Sequence, residues 1–187
     1  MSARGEAHVS FERAGRAVEV LIADITRLEV DAIVNAANRS LQGGGGVDGA
    51  IHQAAGEELR AECETLGGCE AGGAKMTGGY KLPARHVIHA VGPIWFGGHS
   101  GEEEQLAGCY AAALKLAADA GLSSIAFSSI ATGVYGFPPD RAAEIAVETT
   151  MRELDNAPSI RRVVFCCYSE KSARHHLDAI EAQDAKA

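Results

Sequence analysis

One stretch, DAIVNAANRSLQGGGGVDGAIHQAAG from Asp31 to Gly56, constrains the fold of this chain more than any other. It opens with a short apolar run, Ala32-Ile33-Val34, suited to a buried strand. Two asparagines, Asn35 and Asn38, then lead a loop into four consecutive glycines, Gly43 to Gly46. From Val47-Asp48-Gly49 a helical pattern takes over, with Ile51, Ala54, Ala55 and Leu59 on one face through about Glu64. Strand, glycine loop and helix start together aim backbone N–H groups at an anion. Glycine permits close approach and positive φ, and the helix N-terminus adds a favourable dipole. Glycines alone would fit a plain surface loop. With Asn38 and Asp48 beside them, they make a candidate pocket for a phosphorylated ligand.

Two nucleotide motifs compete for these glycines. A P-loop requires a lysine after the last glycine, and none follows. The dinucleotide pattern GxGxxG is met formally at Gly44, Gly46 and Gly49. That pattern belongs directly at a strand end, however, and Asn35 to Gln42 intervene here. A nicotinamide-dependent oxidoreductase is therefore the weakest of three functional classes the chain leaves open.

A chain of 187 residues, 47% of them hydrophobic, is long enough to bury one sizeable core. Its net charge of −8, with no Lys/Arg cluster, argues against a nucleic-acid duplex or an anionic membrane as the main partner. Five cysteines (63, 69, 109, 166 and 167) form no CxxC pair and read as reduced thiols of a cytoplasmic protein. Seven histidines show no ligand spacing, and His175-His176 falls in a polar helical tail, so no metal is expected. The first residues lack the apolar run of a signal peptide, and no segment is long enough to span a membrane. A soluble protein is expected.

In chain order, His8–Arg13 and Ala17–Ile22 read as a hairpin about Ala14-Gly15. Asp24-Ile25-Thr26 ends the second strand. Read locally, Asp24 caps a turn, and that reading leads over the other, a ligand contact at a strand's carboxyl end. Lys75-Met76-Thr77 predicts a short strand, Arg85–Val91 a buried one and Ser124–Ser128 another. His89 reads as a satisfied core histidine. Leu106, Tyr110, Ala113, Leu114 and Ala117 share a helical face, as do Ala143, Val147, Thr150, Met151 and Leu154. Arg162–Tyr168 is apolar almost throughout, as a central strand would be. A last helix turns Ala173, Leu177 and Ile180 inward and is expected to fray in EAQDAKA. Strands alternating with helices imply a three-layer α/β/α sandwich, and the opening hairpin makes its sheet mixed. A second dense stretch, Ser129–Pro138, repeats the strand–glycine–helix theme. The two glycine loops are expected to meet at one sheet edge, with Tyr135 and Phe137 either as apolar walls or as ordinary packing aromatics.

The segments ADIT, IVNAANRSLQGGGGVDGAIHQAAG, VIHAVGPIW and SSIATGVYGFP, in that order, resemble the macrodomain. Within that family they are similar to the MacroD-type branch, close to bacterial O-acetyl-ADP-ribose deacetylases. The resemblance runs from Val18 to Leu177 and implies a mixed six- or seven-stranded sheet between helices. It implies a single macrodomain over 1–187, with a core of about 16–180. Asp24 then matches the residue that accepts from the adenine amino group, with the Ile25 amide alongside. Gly44, Gly45, Gly46 and Val47 match one loop holding diphosphate and distal ribose, and Ala131, Thr132, Gly133, Val134 and Tyr135 the other. Asn35 belongs with this binding set, and Phe137 with Tyr135 would line the distal ribose. Asn38 and Asp48 match the pair associated with hydrolysis. Two positions depart from the commoner pattern: Ala23 stands for a frequent glycine and Ala131 for a frequent serine.

The implied function is hydrolysis of ADP-ribose esters, either acetylated ADP-ribose or mono-ADP-ribose on protein Glu or Asp. Water would attack, oriented by Asn38 and Asp48, with no cofactor and no covalent acyl-enzyme. The alternative is a non-catalytic ADP-ribose reader using the same pocket.

Overall fold

A computed structural model describes residues 7–186. The first six residues, part of the stretch on which the absence of a leader was read, lie outside that range. The opening hairpin is β1 (Ala7–Arg13) and β2 (Arg16–Ile22), turning through Ala14 and Gly15 at positive φ. Five more strands follow: β3 (Ala32–Ala37), β4 (Ala74–Gly78), β5 (His86–Val91), β6 (Ser124–Phe127) and β7 (Arg162–Cys167). They form one seven-stranded sheet in the order β1-β2-β7-β6-β3-β5-β4. The five inner strands run parallel, and the edge strands β1 and β4 pair antiparallel. The sheet is mixed, as expected, and β7 lies inside it.

Alternation along each strand sends neighbouring side chains to opposite faces. Val34, Ile88, Phe127 and Phe165 pack beneath α3 (Glu102–Asp119), α4 (Pro139–Glu153) and α5 (Glu170–Lys186). Ile33, Val87, Ala126 and Val164 pack beneath α1 (Gly46–Ala55) and α2 (Glu57–Glu64). Covered on both faces, the parallel strands require the continuous apolar runs seen in RVVFCC and AIV. This is the three-layer sandwich.

Three expectations need correction. The one helix expected through Glu64 is two, because Gly56 at φ +90° breaks the chain between α1 and α2. The tail does not fray: α5 continues to Lys186, braced by Arg174–Asp178, Arg174–Glu181 and Lys186–Glu148 pairs. His176 lies not on a polar surface but in the core, its ring against Phe165 and Cys167. The expected inner face of α4 is the buried one: Ala143, Val147, Thr150 and Leu154 are buried, and Met151, half-buried, packs against the same core. Among the described residues, no helix is long and apolar enough to cross a membrane.

Candidate functional site

A cleft of about 750 Å³ opens at the carboxyl ends of β2, β3, β6 and β7. That volume lies in the range, about 300–1,000 Å³, usual for small-molecule sites. Ligands of open α/β sheets collect at this edge because loops and helix N-termini converge there. The two glycine loops meet across the cleft because β3 and β6, the strands that feed them, are neighbours.

One end of the cleft is formed by Ala23, Asp24 and Ile25. The turn reading of Asp24 holds. It caps the short turn Ile25–Arg27, accepting from the Thr26 backbone N–H at 3.0 Å and the Thr26 hydroxyl at 2.7 Å, while it lines the cleft.

The first loop contributes Asn38, Gly44, Gly45, Gly46, Val47 and Asp48 to the wall. Gly49 lets α1 press against it: a Cβ there would lie 2.6 Å from the Gly44 carbonyl oxygen. Gly49→Ala should therefore cost about 1–3 kcal/mol of stability, as overpacking does. Denaturant unfolding measures it, and unchanged stability would show that the loop yields freely. Asn38 ties the loop to itself. Its Nδ2 donates to the Gly43 carbonyl at 2.9 Å, and its Oδ1 accepts from the Ser40 hydroxyl at 2.7 Å and the Leu41 N–H at 3.2 Å.

Asp48 sits in the first turn of α1, where the helix dipole favours an anion, and is only 5% exposed. Its Oδ1 accepts from the Asn35 amide at 2.7 Å and lies 3.4 Å from His52 Nε2. Its Oδ2 borders the bare Cα of Gly44: a Cβ there would lie 3.2 Å from Oδ2 and 3.4 Å from Asn38 Nδ2. Gly44 thus leaves open the space beside both side chains.

The second loop contributes Ala131, Thr132, Gly133, Val134 and Tyr135. It is closed by Phe137 N–H to the Ala131 carbonyl and Gly136 N–H to the Gly133 carbonyl, both at 3.0 Å. Gly92, at the end of β5, has no room for a side chain, since a Cβ would meet Ile130 and Ala131 within 2.9 Å.

Two expected ligand residues do not line the cleft. Asn35 belongs to β3 rather than to a loop and is fully buried behind Asp48. Phe137 is 1% exposed because it packs into the core, its ring 4.7 Å from Trp95. Conversely, Ala36, Ala37, Ser128, Ser129, Cys166, Cys167 and Tyr168 line the cleft and were not anticipated. All lie at or just past the ends of β3, β6 and β7, so strand ends were the signal. His52 was also missed; one turn after Asp48 on α1, its i,i+4 spacing was legible.

His89 is the satisfied core histidine expected, bonded to Asn35 and Thr77. Burial first, then the neighbouring His52, push its pKa down to about 4. Burial lowers that of His176 as well. Below pH 6.5 the unfolded chain therefore binds protons that the native protein refuses, and stability falls as pH drops toward 4. Above pH 6.5 these two histidines add no pH dependence. Melting temperatures between pH 7 and 4.5 check this, and a flat profile would contradict it.

The fold also assembles a cluster that the sequence spacing hides. Ligand atoms of His52, Cys63 and His89 lie within 4.8 Å of one another. The cluster fits a metal poorly, because both ring nitrogens of His89 are already engaged, at 3.1 Å to Asn35 and 3.0 Å to Thr77.

A mixed sheet with a cleft walled by two glycine loops at its carboxyl edge defines an α/β domain of the open-sheet class. The chain belongs to the Macro domain family, whose model matches residues 34–146. It is 52% identical over 161 residues to an O-acetyl-ADP-ribose deacetylase of Enterobacter sp. (strain 638), covering 84% of this chain and 89% of that one. It is 55% identical over 150 residues to the ADP-ribose glycohydrolase MACROD2 of Xenopus laevis, covering 79% of this chain but 36% of that longer protein. Among solved structures, the Oceanobacillus iheyensis macrodomain with ADP superposes with a TM-score of 0.91 at 39% identity, covering 96% of this chain and 97% of that one.

Proposed function

We propose that this protein binds ADP-ribose and hydrolyses its esters: O-acetyl-ADP-ribose, or mono-ADP-ribose carried on protein glutamate or aspartate. The relatives named for these activities support the reading. The observation that carries it is Asp48, a carboxylate with one oxygen held by a buried amide and the other beside an open space in the cleft wall. Adenine sits at Asp24 and Ile25, and the amides of the two loops neutralise the diphosphate. The distal ribose then lies beside Asp48. A water next to Oδ2 loses its proton to the carboxylate as its oxygen attacks the ester; the bond to the ribose oxygen or to the carboxylate leaving group breaks, and the proton passes to that oxygen. Unpaired cysteines suit work in the cytoplasm.

The reader alternative has one observation in its favour. Both polar atoms of Asn38 make hydrogen bonds inside its own loop, with one Nδ2 hydrogen left over, so its first role is to shape the pocket. Incubating the protein with acetylated ADP-ribose and with a modified peptide, and measuring released ADP-ribose, separates the two readings. Release supports hydrolysis; tight binding without release supports the reader.

Asp24→Ala should weaken ADP-ribose binding by about 1–3 kcal/mol, the loss expected for a hydrogen bond to a charged acceptor. Calorimetry with ADP-ribose and AMP checks this, and unchanged affinity for both would move adenine elsewhere. Activity should persist in EDTA, since amides rather than a cation hold the diphosphate. Zinc-reversible loss would instead bring the His52–Cys63–His89 cluster into the mechanism.

A further inference from the structure

Behind Asp48 a line of buried polar groups crosses the sheet from β4 through β5 and β3 to α1. Asn35 and His89 are register partners on β3 and β5, and Thr77 lies on the neighbouring β4. Asn35 and His89 are fully buried, and Thr77 is 2% exposed. The Asn35 nitrogen lies 2.7 Å from Asp48 Oδ1 and 3.1 Å from His89 Nδ1. An amide nitrogen carries two hydrogens, and here each has an acceptor. Turning the amide over would set its oxygen 2.7 Å from a carboxylate oxygen, which is repulsive, so its orientation is fixed.

That orientation fixes everything behind it. His89 Nδ1 must accept, so the neutral ring carries its hydrogen on Nε2. Nε2–H donates to the Thr77 hydroxyl at 3.0 Å, and the hydroxyl hydrogen goes to the Gly78 carbonyl at 3.1 Å. Each bond has one possible direction, and in a low-dielectric interior such a line resists rearrangement. Neither His89 nor Thr77 lines the cleft.

Resting on the hydrolase reading above, we propose that His89, backed by Thr77, is a positioning residue. Through Asn35 it holds the Asp48 carboxylate so that Oδ2 faces the reacting water. Burial supports this, since a neutral ring is the form the line requires and the one this site favours. A residue acting only through Asp48 should alter turnover and leave ligand affinity alone.

The test compares His89→Leu, which keeps volume but offers no acceptor, with His89→Asn, whose side-chain oxygen can take the place of Nδ1. His89→Leu should lower kcat by about 10–100-fold, the cost of a misplaced catalytic group. ADP-ribose affinity by calorimetry should stay at its wild-type value, and His89→Asn should recover much of the lost kcat. Independently, ring nitrogen NMR of the wild-type protein should show His89 as the Nε2–H tautomer. Folded His89→Leu with wild-type kcat, or an Nδ1–H tautomer, would overturn the proposal. Should His89→Leu not fold, Thr77→Val carries the test: a smaller kcat loss at unchanged affinity is expected, and wild-type kcat overturns it. Absence of wild-type turnover would overturn the hydrolase reading and this role together, whereas wild-type turnover in folded His89→Leu would remove this role alone.

Discussion

Asp48→Ala is expected to lower kcat by about 10²–10⁴-fold, the usual contribution of general-base assistance. Binding should survive, because adenine and diphosphate are held at Asp24 and by the loop amides; affinity for ADP-ribose should change by less than about tenfold, or 1.4 kcal/mol. The alanine variant also leaves the Asn35 amide without its acceptor, since Asp48 Oδ1 takes that hydrogen bond at 2.7 Å. A buried donor so orphaned costs about 1–3 kcal/mol of stability. Asp48→Asn separates these effects, because its amide oxygen can still accept from Asn35 while it cannot take a proton from water. Equal kcat losses in both variants, with the melting temperature falling mainly in Asp48→Ala, would show that Asp48 acts as a base. Near-wild-type turnover in either would shift water activation to the ligand's own phosphate.

Asn38→Ala should have the second largest effect, and of a different kind. Three hydrogen bonds converge on its amide, from it to Gly43 and to it from Ser40 and Leu41. Their loss, at about 0.5–1.5 kcal/mol each, loosens the loop that presents Gly44 to Gly46. Both kcat and affinity should therefore fall, with kcat/KM down by about 10²-fold, as a misplaced site predicts. The pH–rate profile should keep its shape, because an amide does not titrate. The double variant with Asp48→Ala should lose less than the sum of the two, because a loosened loop misplaces a site that has already lost its base. A loss confined to kcat would mean that Asn38 acts on the water after all.

Most of the architecture was legible because its signals are local and periodic. AIV, RVVFCC and the facing apolar positions of α3 specify buried strands and an amphipathic helix. The two glycine loops could be placed together because both follow parallel strands, which share one carboxyl edge. What could not be read depends on contacts between distant segments. Phe137 looks like a pocket wall beside Tyr135, but Trp95 draws it into the core. Asn35 looks like a loop residue, yet it is paired in β3 against His89 of β5, and that pairing turns it from ligand contact to support for Asp48. The His52–Cys63–His89 cluster draws on α1, α2 and β5, so linear spacing conceals it. Gly56 was visible, but whether a glycine is tolerated in a helix or breaks it depends on how the flanking segments pack.

The most direct test of the account is hydrolysis of O-acetyl-ADP-ribose in heavy-oxygen water under single-turnover conditions. If Asp48 serves as a base for direct water attack on the acyl carbon, the first acetate released carries one heavy oxygen from solvent, and no acylated protein accumulates. Acetate that emerges unlabelled in the first turnover, its second oxygen supplied by a protein carboxylate, would contradict direct attack. No released ADP-ribose at all, despite tight binding, would contradict hydrolysis itself.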